Sequence, residues 1–153
     1  MERRRGLTLI ELLIAVTVLT FVSSGAIAVF YNQGAEDLDT ETRAIYTRIE
    51  EAAGRASAGV QGVPWGIRFE NPINSASFYS IFSGSVYLTS FRDYTLKPTL
   101  EFENPPSGSS VEIVFSEVFA TTTGTNSIIV RRKGLPNEKK TITVSEIGRI
   151  VIE

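Results

Sequence analysis

The chain has 153 residues, 42% of them apolar and 21% charged, which allows one modest packed domain besides a separate helix and argues against disorder. It contains neither cysteine nor histidine, which excludes a disulfide framework, a thiol nucleophile, Ser-His-Asp chemistry and histidine zinc sites. The net charge is −2, and the first six residues carry +2 of it through Arg3, Arg4 and Arg5 against Glu2. The remaining −4 makes a mildly acidic body, which weighs against wholesale nucleic-acid binding.

The chain opens with a basic leader and Gly6, then Leu7-Thr8-Leu9-Ile10-Glu11-Leu12-Leu13. From Leu12 to Ala35 there are 24 residues without a charge. As a helix they extend about 36 Å, enough for a hydrocarbon core of about 30 Å. Arginines ahead of such a span hold that end in the cytoplasm. Glu11 is the odd residue, because a carboxylate in a bilayer costs about 2.5–3.5 kcal/mol even on gentle scales. Thr17, Thr20, Ser23 and Ser24 keep the span only moderately hydrophobic.

This stretch, from Arg3 to about Phe30, resembles the class III signal of type IV prepilins and type II secretion pseudopilins. The resemblance implies a leader, 1–6, cleaved after Gly6 by a prepilin peptidase, and N-methylation of the new terminus at Leu7. It also implies that Glu11 compensates the terminal amine of a neighbouring subunit in a filament. Leu7 stands where phenylalanine is commoner. No proline precedes Pro64, so the kink that many pilins place in the span is not to be assumed here, and Gly25, Gly34 and the Ser23-Ser24 pair are the weak points of the helix. Two other readings exist for the segment: a plain N-terminal anchor, or a secretory signal cut after Ala28 behind Ala26-Ile27-Ala28. A conventional secretory signal has no reason to place Glu11 there, whereas in a plain anchor it reads as a juxtamembrane acid sitting near the headgroups.

Past the assembly helix, 7–35, the spacing predicts an amphipathic continuation over 36–60. Leu38, Ile45, Ile49, Ala52, Ala53 and Ala56 recur at three- and four-residue intervals among charged positions. Gly59, Gly62 and Pro64 stop it. Glu36, Asp37, Asp39 and Glu41 lack the spacing of a calcium loop and read as a solvated face or a dock for basic neighbours.

The remainder, 61–153, reads as an antiparallel β domain. Strands are expected at Trp65–Phe69, Ser77–Phe82, Ser85–Phe91, Leu96–Phe102, Val111–Phe119, Ser127–Arg132, Lys140–Val144 and Ile150–Ile152. Ser83-Gly84 is read as the turn joining the second and third. Pro98 is expected on an edge or bulge, and 134–137 as the separator before the strand at Lys140. Period-two aromatics (Trp65, Tyr79, Phe82, Tyr87, Phe91) are read as core facing the helix. A long helix followed only by strands is α+β, the helix covering antiparallel sheet, with two small sheets expected. The class III signal makes that architecture pilin-like.

Gly66-Ile67-Arg68-Phe69, Tyr79-Ser80-Ile81-Phe82 and the closing Ile142–Ile150 segment are similar, in that order, to the FimT and H-type minor pseudopilins. That resemblance implies a low-abundance subunit that primes or tips a pilus or a secretion pseudopilus. Arg131, Arg132, Lys133, Lys139, Lys140 and Arg149 are a second candidate set. Such cations can contact DNA phosphates, as in DNA-uptake pilins, although the tail Gly148-Arg149-Ile150-Val151 has only the first arginine of that family's Gly-Arg-x-Arg form. Guarded strand edges explain the same residues. No catalytic constellation, metal site or cofactor motif stands out. The expected partners are other pilin subunits, the prepilin peptidase, and a platform and ATPase machinery. The expected location is a prokaryotic cytoplasmic membrane, crossed once with the N-terminus inside and the β domain outside, and afterwards a filament. A β domain that never polymerises is the remaining alternative.

Overall fold

The computed structural model describes residues 8–153, and for residues 24–33 their place in a helix but not their side chains. Helix α1 runs Leu9–Ser57 and is followed by a 3-10 turn, Val60–Gly62. The helix stops where the sequence supplies Gly59, whose φ of 63° is left-handed and suits a residue without a Cβ. By its contacts the chain divides into two units, Met1–Gly34 and Ala35–Glu153.

Eight strands follow: β1 Trp65–Asn71, β2 Phe78–Ser83, β3 Ser90–Thr95, β4 Leu100–Asn104, β5 Ser109–Phe115, β6 Asn126–Arg132, β7 Leu135–Val144 and β8 Ile150–Ile152. They form two antiparallel four-stranded sheets, ordered β3-β2-β1-β5 and β4-β6-β7-β8. The chain enters the second sheet at β4, returns to the first at β5, and leaves again. Each sheet thereby takes one strand from across the other: β4 of the second sheet comes between β3 and β5, and β5 of the first between β4 and β6.

The inward faces of both sheets and the helix stripe share one core. Leu38, Ile45, Ile49, Ala52 and Ala56 of α1 pack with Trp65, Ile67, Phe69, Ile81 and Ile113, and with Phe102, Ile128, Val130 and Ile142 of the second sheet. The stripe shrinks to alanine toward its end, which lets the sheet approach the helix closely. Burial of a large apolar side chain stabilises by about 1.5–3 kcal/mol each, and with no cysteine this packing carries the domain.

One polar clip joins the sheets. Buried Asn71, closing β1, donates from Nδ2 to the carbonyls of Phe102 and Pro105, both at 3.0 Å, and accepts from Ser77 Oγ at 2.8 Å. The Asn104–Pro105 bond beside it is cis.

Several strand expectations are corrected. The expected strand Ser85–Phe91 is a loop, and β3 begins only at Ser90. Its physical reason is on the outer face of the first sheet, where Phe82 fills the space above Gly66; a Cβ on Gly66 would stand 2.6 Å from the Phe82 ring. Tyr87 folds back to cover Phe82 edge-on, with ring centroids 5.4 Å apart, and a chain turned inward for that contact cannot stay in register. Phe82 and Tyr87 therefore pack away from the helix, Phe91 is 48% exposed, and only Trp65 and Tyr79 of the five aromatics join the core. The strand at Leu96 starts later, at Leu100, beyond Pro98, and lies on a sheet edge. The separator 134–137 shortens to the turn Lys133-Gly134, since β7 already starts at Leu135.

Candidate functional site

The described part of the N-terminal segment begins at Thr8, whose hydroxyl accepts the Glu11 backbone N–H at 3.3 Å. Thr8 is thus the N-cap and Glu11 the third helical residue, the spacing of a capping box. That Thr-x-x-Glu pattern was legible in the sequence and gives Glu11 a local role besides its charge, since an acid in a first turn also meets the helix dipole favourably.

Every residue from Thr8 to Ser23 is exposed. Leu9, Ile10, Leu12, Leu13, Ile14, Val16, Val18, Leu19 and Val22 leave more than half of their surface open, and they occupy all sides of the helix. A helix apolar all round requires an apolar surrounding. Its hydroxyls are already satisfied: Thr17 donates to the Leu13 carbonyl at 2.7 Å, Thr20 to Thr17 at 2.8 Å and Ser23 to Leu19 at 2.7 Å. The segment therefore needs no outside partner for these hydroxyls. Gly6 and Leu7 lie outside the described residues. The expected span 7–35 also falls partly outside them, and among the described residues no helix is long and apolar enough to cross a membrane.

The acids after Ala35 are not a free face. Asp37 accepts from Lys97 Nζ at 2.8 Å and Thr99 Oγ1 at 2.9 Å, and Asp39 from Arg43 at 3.0 Å and from Lys140. These hydrogen bonds, from Lys97 and from Lys140 first, hold both carboxyls below the usual aspartate range. Together they strap the first turns of the α1 stripe to the loop before β4 and to β7. Glu41 is buried with one hydrogen bond, from Tyr79 Oη at 3.3 Å, and its burial pushes its carboxyl up.

The basic set does not form one surface. Arg131 bonds Glu101 at 2.8 Å, Arg132 bonds Glu138 at 2.5 Å, and Lys139 bonds Glu103 at 2.8 Å. Lys140 is held by Asp39. Lys133 sits on the β6–β7 turn and Arg149 on the loop before β8, at opposite ends of the second sheet. Among the described residues no acidic or cation-ligating group is arranged to hold a metal ion.

Residues 1–27 match the family described as the prokaryotic N-terminal methylation motif. No curated protein sequence is significantly similar to the chain. Among solved structures, the type IV minor pilin FimU of Pseudomonas aeruginosa aligns with 77% of this chain and 89% of its own at 14% identity, with a TM-score of 0.57. A second crystal form of FimU aligns over 80% and 91% at 17% identity, with a TM-score of 0.48. The fold is therefore pilin-like, a long helix laid on antiparallel sheet. The chain thus carries a prokaryotic N-terminal methylation motif at its head and, behind it, a fold similar to that of a type IV minor pilin.

Proposed function

We propose that the chain is a minor pilin or pseudopilin, processed after Gly6, N-methylated at Leu7 and assembled into a type IV pilus or secretion pseudopilus. The observation that carries the reading is the join of the methylation motif to a helix exposed and apolar on all sides, with one carboxylate in its first turn. Before assembly the bilayer surrounds that helix, crossed once with the N-terminus inside; in the filament other pilin helices do. Prepilin peptidase makes the cut, and a platform protein and ATPase drive extraction. Glu11 compensates the amine of Leu7 on a neighbour, where an unpaired charge in a low dielectric is expensive. The order of the Gly66, Tyr79 and Ile142 motifs supports a FimT or H-type subunit.

Mass spectrometry of the mature N-terminus tests the processing. N-methyl-Leu7 is expected; a start at Val29 or an intact Met1 overturns it. Glu11→Gln keeps the capping-box geometry and removes the charge. It is expected to insert normally and to lower recovery in sheared filaments at least several-fold, as is Glu11→Ala; undiminished recovery of Glu11→Gln contradicts charge compensation. Because four of the six cations already hold carboxylates, we assign that set to packing the second sheet and its straps rather than to DNA.

A further inference from the structure

We propose that the end of the β domain where α1 stops is a lipid-contacting tip, which docks on zwitterionic phospholipid of a bilayer other than the one that holds the N-terminal segment. The inference goes beyond the filament reading and stands without it. Of the seven large apolar side chains that residues 35–153 expose, all but Ile73 lie at this end. The strand pairing places them. Ser83, closing β2, and Phe115, closing β5, both pair with Trp65, the first residue of β1. The loops that follow, one with Val86 and Leu88 and one with Val118 and Phe119, therefore leave the same end of the first sheet, on either side of Trp65. The 145–149 loop brings Ile147 there, through the Thr122 N–H to Glu146 carbonyl bond of 2.9 Å. Val118 N–H donates to the Ala56 carbonyl at 3.3 Å, which fixes the tip at the last turn of α1. Single exposed apolar residues are ordinary, whereas a gathering of them on converging loops marks a contact surface.

Three features select lipid as the occupant. Leu88 is 85% exposed, Phe119 79% and Ile147 76%. Side chains that stand out so far from separate loops enter a fluid hydrocarbon edge without a matching pocket. The backbone is the second feature, because an apolar phase offers no hydrogen bonds and an inserted segment must supply its own. Phe119 N–H bonds the Glu117 carbonyl at 2.8 Å, Ala120 N–H the Ser116 carbonyl at 3.1 Å and Thr121 N–H the Ser116 hydroxyl at 3.1 Å. With Val118 on Ala56, every N–H from Val118 to Thr121 is satisfied. That closure holds Val118 at φ 71° and Ala120 at φ 48°. In the second loop Ser145 N–H bonds the Arg149 carbonyl at 2.9 Å and Gly148 N–H the Ser145 carbonyl at 2.8 Å. Charge is the third feature. Glu117, Glu146 and Arg149 flank the apolar residues, exposed and, among the described residues, without side-chain partners. Two carboxylates and a guanidinium match the ammonium and phosphate of a zwitterionic headgroup, and their net negative charge opposes an anionic surface. The bilayer is a second one because α1 from Ala35 to Ser57 extends about 33 Å, which separates the tip from the residue where the N-terminal segment joins.

The test uses the full-length chain held in lipid nanodiscs, to which protein-free vesicles of phosphatidylcholine and phosphatidylethanolamine are added and then sedimented. The chain has no cysteine, so Thr123→Cys beside the tip loop and Asn74→Cys at the other end of the unit each carry a single environment-sensitive fluorophore; both positions are exposed. Discs carrying the chain are expected to co-sediment at least several-fold above empty discs, with a blue shift at position 123 and none at 74. Phe119→Ser combined with Ile147→Ser is expected to bring capture down to the empty-disc level, and Ile73→Ser to leave it unchanged. Matching melting curves show that these surface variants keep the fold. Capture is expected to fall when phosphatidylglycerol is mixed in and to persist at high salt. No capture above empty discs, capture indifferent to Phe119 and Ile147, or capture that requires anionic lipid overturns the contact. A blue shift at 123 before vesicles are added places the tip on its own bilayer and overturns the second one. Absence of capture while Phe119→Ser lowers recovery of the chain in sheared filaments assigns the tip to a protein neighbour, and overturns the lipid contact as well.

Discussion

Val118 shows how much a residue's backbone can say that its identity does not. A valine at φ 71° costs on the order of 1–3 kcal/mol, and glycine takes that conformation freely while making the unfolded chain somewhat looser. Val118→Gly is expected to stabilise the chain by about 1 kcal/mol in urea unfolding of the full-length protein in detergent; a loss of stability contradicts the strain. Nothing in Glu117-Val118-Phe119 marks this from sequence, where the run continued a good alternating strand. The strand ends at Phe115 because Thr122 bridges to that residue and draws the chain away. Glu11 is the reverse case. Its oddity was visible because a charge in an uncharged run stands out without any structure.

At the level of elements, what holds is the division of faces along each strand. Val111, Ile113 and Phe115 turn inward while Glu112 turns out to Arg68, at 2.6 Å, as alternation requires. The helix stripe was legible for the same reason, since a period of 3.6 has one buried side. Asn71 was not, because it lies just past the strand expected at Trp65–Phe69 and no local pattern marks its partners. Its side chain spans to β4 and to the Pro105 loop, contacts set by chain crossings between sheets rather than by local pattern. Asn71→Ala leaves two buried carbonyls and the Ser77 hydroxyl without their partner, so a loss of about 2–4 kcal/mol is expected in denaturant unfolding. A loss below about 0.5 kcal/mol indicates that water replaces the clip.

For the whole molecule, the carboxylates pull in two directions with pH. Asp37, Asp39 and Glu103 are held below their ordinary range by hydrogen bonds from Lys97, Lys140 and Lys139. Their contribution is complete above the unfolded carboxylate range and is lost as pH falls through the lowered values. Glu41 is the opposite, raised by burial, so its ionisation destabilises the fold above the raised value and protonation relieves it. Glu41→Gln is therefore expected to melt higher than the parent chain at pH 7, the gap narrowing as pH falls through the raised value and closed below the ordinary glutamate range. Asp37→Asn is expected to melt lower at pH 7 and to converge in acid. Melting curves of the full-length chain from pH 3 to 8 check both; parallel offsets at every pH contradict the assignments.

Amino-acid order alone determined the α+β class, the helix stripe, most strand positions and the processing signal, because each rests on neighbours within a few residues. The absence of histidine and cysteine disposed of whole chemistries before any fold was known. Only the tertiary structure decided what the charges do. The acids after Ala35 and the cations from Arg131 to Lys140 looked like two free surfaces, and the fold ties most of each to partners elsewhere in the chain, with Asp39 and Lys140 joined to each other across 101 positions. It likewise brought the 116–121 and 145–149 loops to one tip. Pairing at such separations depends on how the two sheets interleave, and no local period encodes that.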